Sequence, residues 1–264
     1  MKCCVLVAHV PDTASVIKIG SAGNRIEESD IKWIVSPYDE YALEEAIRLK
    51  EAKGGSVTVM TYGPERSVQG QRECLARGAD AAIHVKGGEG TFGDALAISR
   101  VLAAAIAKTG PYDLVLAGIK GVGSDNGLVG AMVAEILDIP HVANVVKLEV
   151  ADSKLVAHRE IEGGAEVVEA PFPCVITAQK GLNEPRYPSL KGIMAAKKVA
   201  IQTFTVADLG LDEAALAGQD AHCRWLKLAL PAAKSGGTIL KGEEDPAGAA
   251  RELVRLLREQ AKAI

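Results

Sequence analysis

The residues with most chemical promise lie in one stretch, Leu114-Val-Leu-Ala-Gly118-Ile119-Lys120-Gly121-Val122-Gly123-Ser124-Asp125-Asn126-Gly127, which continues into Leu128-Val129-Gly-Ala-Met-Val-Ala-Glu-Ile-Leu137. An apolar run of strand type feeds a glycine-rich turn and then a helix. Free backbone N–H groups and the positive end of a helix dipole therefore converge on one spot, which suits a phosphate. Glycines let the backbone take φ > 0 and approach a ligand closely. The spacing G-x-x-G-x-G matches neither the dinucleotide fingerprint nor the P-loop, so spacing alone leaves phosphate binding and an ordinary strand-to-helix turn equally open.

Three further segments can converge with this loop at strand ends: Leu6–Ala8, Ser36-Pro37-Tyr38-Asp39 and Thr61-Tyr62-Gly63. Together they can seat an adenine on apolar backbone, direct phosphates to the amides of Gly121–Gly127, and offer Ser124 or Asp125 to a hydroxyl. Taken singly, Ser36-Pro37 is a helix cap and Tyr62-Gly63-Pro64 a turn. Catalytic groups are scarce. The histidines (His9, His84, His141, His158, His222) are dispersed, no G-x-S-x-G elbow exists, and the carboxylate pairs Glu44-Glu45 and Glu243-Glu244 fall on segments expected to be solvated. The five cysteines show no C-x-x-C pair and no metal-ligand spacing, which predicts reduced, buried thiols and no metal.

A stretch of another kind spans Leu182-Asn-Glu-Pro-Arg186-Tyr187-Pro-Ser-Leu190-Lys-Gly-Ile193-Met194. Two prolines stiffen it, Leu190 stands near its tip, and Ile193-Met194 begin a short helix ending in Lys197-Lys198. A rigid loop offering an apolar anchor ringed by charge is how a transient docking site is built. The alternative is that Leu190 tucks into its own domain.

These loops need a scaffold. The chain has 264 residues, 48% hydrophobic and 24% charged, enough for a large core without staples. Strand-like runs at Cys3–Ala8, Val57–Thr61, Ala81–Val85 and Leu114–Gly118 alternate with helical patterns. After Ser36 as cap and Pro37 at the first position, Ala42, Leu43, Ala46, Ile47 and Leu49 form an apolar stripe, while Glu44, Glu45, Arg48 and Lys50 read as a solvated face. Further helices are expected over Ser67–Arg77 and Phe92–Lys108. The fold class is α/β, a doubly wound, mostly parallel, Rossmann-like sheet.

Beyond Ile139-Pro140 the runs Val145–Val150, Leu155–Ile161, Ala165–Glu169 and Cys174–Ala178, with turns at Ala151-Asp-Ser and Glu162-Gly-Gly, predict antiparallel hairpins on the edge of that core. Residues 1–200 are expected to form the nucleotide-binding domain and 201–264 an arm packing on another chain, with a linker at Lys234-Ser-Gly-Gly and an amphipathic helix over Pro246–Ile264. A net charge of −4 and 4% aromatic residues argue against nucleic acid. No run of ~18 apolar residues and no cleavage site appear, so a cytoplasmic, uninserted protein is expected.

The helix motif Ser36-Pro-Tyr-Asp-Glu-Tyr-Ala-Leu-Glu-Glu-Ala-Ile-Arg-Leu-Lys-Glu51, the run Ala157-His-Arg159-Glu-Ile-Glu-Gly-Gly164-Ala-Glu166, Pro173-Cys-Val-Ile-Thr177 and Leu182-Asn-Glu-Pro-Arg-Tyr187 together resemble the β subunits of electron transfer flavoproteins. The resemblance covers the first 200 residues well and the tail only through Ala207-Asp-Leu-Gly-Leu211. It implies a heterodimer with an α subunit that holds most of an FAD, while β binds AMP through Leu6, Ser36–Asp39, Tyr62 and Gly118–Val129, with Tyr38 near the flavin. It also implies that the Leu190 loop, with Arg186, Tyr187, Ile193 and Met194, docks acyl-CoA or related dehydrogenases. Electrons then pass through FAD to a membrane quinone oxidoreductase, and the chain does no bond-making catalysis of its own. The nucleotide loop departs from the common family pattern, keeping only Asp125 and Gly130, and Ala8 stands where a lysine is usual. Its Val129-Gly130 ending is similar to electron-bifurcating members, which bind a second FAD in place of AMP. From other classes, a nucleotide-binding hydrolase or sensor would need an acid/base cluster, and a scaffold would bind no nucleotide.

Overall fold

The computed structural model describes residues 1–264 except 89–92, 152, 224 and 233–235. In chain order the elements are β1 (Lys2–Leu6), β2 (His9–Pro11), β3 (Trp33–Val35), α1 (Pro37–Lys53), β4 (Ser56–Gly63), α2 (Ser67–Arg77), β5 (Ala81–Lys86), α3 (Ala95–Thr109), β6 (Leu114–Gly118) and α4 (Val129–Leu137). They are followed by β7 (His141–Val150), β8 (Lys154–Ile161), β9 (Gly164–Pro171), β10 (Cys174–Ala178), α5 (Leu190–Ala196), β11 (Gln202–Thr205), α6 (Glu213–Ala217) and α7 (Pro246–Glu259).

Nine strands form one sheet in the order β11-β5-β4-β1-β6-β10-β7-β8-β9, with β2 and β3 as a separate antiparallel pair. From β11 to β7 the neighbours are parallel; only the β7-β8 and β8-β9 pairs at one edge are antiparallel. One face of the sheet carries α1 and α2, with Ala42, Leu43, Ile47 and Cys74 in its core. The other carries α3 and α4, with Val101, Leu102, Ala105 and Val133. The doubly wound α/β architecture follows from the alternating pattern, and the stripe of α1 is buried as its spacing requires.

Three expectations need correction. Cys174–Ala178 is not a hairpin strand: β10 runs parallel between β6 and β7 and is buried throughout, as a two-sided apolar run in a parallel sheet should be. Ser36 takes the N-cap position of α1, but its side chain makes no cap hydrogen bond; its carbonyl accepts the Asp39 amide at 2.9 Å instead. Glu44 and Glu45 are not a solvated face; both are buried by the segment that follows β10.

The helix expected from Phe92 starts at Ala95, where Asp94 accepts the amides of Leu96 and Ala97. Phe92 lies outside the described residues, as do Asp152 of the hairpin turn and Lys234 and Ser235 of the linker. Gln202–Thr205 adds an edge strand beside β5, so the sheet extends past residue 200.

Two compact units result, Met1–Leu228 and Ala229–Ile264. In the second, Asp245 caps α7 through the Gly248 amide at 2.8 Å, and Leu253 and Val254 lie exposed along the helix. Cys3, Cys4, Cys74 and Cys174 are buried, but Cys223 is exposed, against the expectation of buried thiols throughout. Burial pushes the Cys3 and Cys174 thiols up to about 12, so they behave as small hydrophobes.

Candidate functional site

From β1 the chain winds outward to β4 and β5, then crosses back to β6 and winds the other way. The strand order therefore reverses between β1 and β6, and the crevice beyond the carboxyl ends of such strands is where open α/β sheets hold ligands. Asp39, in the first turn of α1, closes this point. One carboxylate oxygen accepts the Ala8 amide at 2.7 Å and the other accepts the Gly118 amide at 2.8 Å. The residue is 6% exposed. Burial raises its carboxyl to about 7, against the pull of those two amides.

Neighbouring bonds tie the same ends together: the Ser36 amide donates to Ala8 O at 2.9 Å and the Thr61 hydroxyl to Val7 O at 2.9 Å. Gly118 is required here, because a Cβ would lie 2.6 Å from Asp39 Oδ1 and from the Tyr38 backbone. The Ser36 hydroxyl is buried and has no hydrogen-bond partner among the described residues.

The glycine loop follows directly. Ile119 donates its amide to Ala178 O at 3.0 Å, anchoring the loop to β10, and Asp125 donates to Gly121 O at 3.0 Å to form a turn. Gly123, Asp125 and Gly127 have positive φ, the conformation that glycine permits and that aspartate tolerates. Lys120 sets its ammonium 3.3 Å from Asp125 and 5.8 Å from the Tyr38 ring centroid. At the entry to α4, Leu128 supplies no side-chain cap, so the first-turn amides keep their donor capacity. Gly130 seats that turn on β10, where a Cβ would lie 2.4 Å from Thr177 Cγ2.

The structure thus brings the Ser36–Asp39 segment against the loop that begins at Gly118, while Tyr62, at the end of β4 and two strands from β6, bonds Glu213. Leu6 is different: its side chain is core, packed with Met60 and Val101. An uncapped helix start, positive-φ amides, the Lys120 ammonium and the orphaned Ser36 hydroxyl fit a phosphorylated nucleoside.

The Leu190 loop is fixed to α1. Arg186 bonds Glu44 and Glu51, and Asn183 bonds Tyr41 O at 3.0 Å and Glu45 at 2.9 Å. Hydrogen bonding to Glu51 and Glu44 holds the Arg186 guanidinium well above its usual range. Arg186 is therefore a staple, while Tyr187 and Leu190 stand 92% and 79% exposed, with Met194 and Ile193 beside them on α5. Ser189 caps that helix through the Gly192 amide at 3.0 Å.

Sequence reasoning missed three groups. Glu44 and Glu45 hold the loop from 138 to 142 residues away. Asp94 accepts the amides of His222 and Cys223 besides capping α3, and those donors together outweigh burial to hold its carboxyl low. Glu213 accepts the Tyr62 hydroxyl at 3.3 Å and the Gly88 amide at 3.0 Å. Only for Asp94 was there a local signal, an acidic residue just ahead of an apolar helical pattern.

No helix among the described residues is long and apolar enough to cross a membrane. The electron transfer flavoprotein domain family matches residues 23–209. The electron transfer flavoprotein subunit beta of Bacillus subtilis is 40% identical over 263 residues, 98% of each chain. That of Thermoanaerobacterium thermosaccharolyticum is 37% identical over 243 residues, 92% of this chain and 93% of the relative. The caffeyl-CoA reductase-Etf complex subunit CarD of Acetobacterium woodii is 38% identical over 245 residues, 92% of each. With relatives aligned along nearly its whole length, the chain belongs to the electron transfer flavoprotein family, among the beta subunits.

Proposed function

We propose that the chain pairs with an alpha subunit to form a cytoplasmic electron carrier, which accepts electrons from acyl-CoA or related dehydrogenases and passes them to a membrane quinone oxidoreductase. FAD, held mainly by the alpha subunit, supplies the redox chemistry when bound. The chain's own residues bind, orient and dock, and make or break no bond.

At the strand-end crevice, the loop amides around Gly121–Gly127 and the start of α4 receive the phosphate of an AMP, with Lys120 adding a cation. Ser124 or Asp125 hydrogen-bonds a hydroxyl of the nucleoside, and Tyr62 flanks the adenine. Tyr38 lies toward the flavin. Asp39 contributes by fixing the ends of β1 and β6, because both of its oxygens are taken by amides. The C-terminal arm, of which Ala229–Ile264 forms its own unit, packs on the alpha subunit through the apolar side of α7.

The observation that carries the reading is the docking loop. Exposed apolar side chains are normal singly, but Tyr187, Leu190 and Met194 are displayed together on a segment stapled to a helix, at little entropic cost on binding. The test is anaerobic mixing of the purified heterodimer with an acyl-CoA dehydrogenase and its substrate. Bleaching of the flavin absorbance that depends on the dehydrogenase supports the reading; a flavin that only dithionite reduces contradicts it. A second reading, in which FAD replaces AMP in a bifurcating complex, is favoured by the Val129-Gly130 ending of the loop.

A further inference from the structure

The Tyr62 side of the crevice is held by a residue from far along the chain. Glu213, the first residue of α6, accepts both the Tyr62 hydroxyl and the Gly88 amide on one oxygen. Gly87 and Gly88 follow β5 with φ of 142° and 89°, so the backbone there turns in a way that side chains disfavour. A Cβ on Gly87 would lie 2.3 Å from Glu213 Oε1 and 2.9 Å from the Tyr62 ring. A side chain at position 87 would therefore collide with both the carboxylate and the phenol.

The segment after Glu213 is fastened in the same region. Asp94 accepts the amides of His222 and Cys223 at 2.7 and 3.1 Å, and Trp225 lies against Gly93, where a Cβ would sit 1.8 Å from its indole nitrogen. Glu213, His222, Cys223 and Trp225 thus lie as a strap over Tyr62, Gly88, Gly93 and Asp94.

We propose that Glu213 is a positioning residue for nucleotide binding: by holding the Tyr62 ring and the Gly87-Gly88 turn it fixes the wall against which the adenine packs. This rests on the crevice being the adenylate site. An ordinary strap would need only apolar contact. A carboxylate shared between a tyrosine hydroxyl and a backbone amide orients the ring as well as covering it. The structural consequence is that adenylate affinity depends on a segment outside the parallel sheet.

The test uses the FAD-loaded heterodimer depleted of AMP, titrated with AMP by calorimetry. Glu213→Ala is expected to raise the Kd about tenfold, on the order expected for a lost charge-assisted bond, while FAD content and melting temperature stay near the parent's. Glu213→Gln keeps an acceptor oxygen and is expected to stay within about twofold. Tyr62→Phe, which leaves the Glu213 to Gly88 bond intact, is expected to weaken binding as well. Parent-like AMP affinity in Glu213→Ala overturns the role of Glu213 alone. A parent heterodimer that binds neither AMP nor FAD at this site overturns the crevice reading, and the proposal with it.

Discussion

Arg186 closes on Glu44 from three directions: Nε donates at 2.9 Å, Nη2 at 3.0 Å and the backbone amide at 3.0 Å. Its other edge reaches Glu51 at 2.6 and 2.9 Å. Glu44 is nearly buried, so removing the guanidinium strands a carboxylate. Arg186→Ala should cost about 2 kcal/mol of stability in urea denaturation and slow reduction by a dehydrogenase, whereas dithionite reduction stays unchanged. Arg186→Lys, a point charge that cannot bridge two carboxylates in one plane, should recover only part of both.

Leu190 tests the other half of the loop. At 79% exposure its side chain contributes little to the fold, so Leu190→Ala should shift stability by less than about 0.5 kcal/mol. If it anchors the dehydrogenase, steady-state assays should show the KM for the carrier rising about tenfold with flavin content unchanged. Equal KM values for variant and parent would remove Leu190 from the docking surface.

Gly118→Ala should damage the crevice itself. The added methyl meets Asp39 and the Tyr38 backbone at 2.6 Å, and neither can withdraw without breaking the bonds to Ala8 and Gly118. A loss of about 2–3 kcal/mol is expected from overpacking, together with loss of bound nucleotide. Gly163→Ala is the control, since nothing lies within 4 Å of its added methyl. Its positive φ limits it to a penalty of about 1 kcal/mol with no effect on nucleotide content.

Much of this arrangement was legible in the chain. The limits of α2 are those the apolar spacing gives, and the stripe of α1 faces the core, because helical periodicity is local. The glycine loop was readable for the same reason: strand, turn and helix are contiguous. Cys174–Ala178 was misplaced because three preceding runs set a hairpin rhythm, and its continuous apolar character, the mark of a central parallel strand, was given less weight. Glu44 was misread as solvated since its partner lies 142 residues away, and no local pattern records a contact of that range. The Asp39 clamp has the same origin, joining α1 to β6 across 79 residues.

Asp39 also predicts a pH dependence. Its carboxyl is raised from the ordinary value near 3.8 to about 7 by burial, so between those values the unfolded chain has released a proton that the folded chain retains. Stability from this group is therefore full below about pH 4, falls as pH rises to 7, and is flat above. Compared with Asp39→Asn, which does not titrate, the parent should lose on the order of 4 kcal/mol across that window in denaturation series. A constant difference between the two proteins from pH 4 to 7 would show that Asp39 is ionised throughout.

The direct test of the adenylate crevice is the nucleotide complement of the native heterodimer, measured by mass spectrometry of the compounds released on denaturation. One FAD and one AMP per heterodimer is the predicted result, and loss of the AMP alone from Gly118→Ala would place it at this site. Two FAD would contradict AMP as the ligand and favour the bifurcating reading. One FAD with no second adenine compound, and no uptake of added AMP, would contradict the crevice as a nucleotide site.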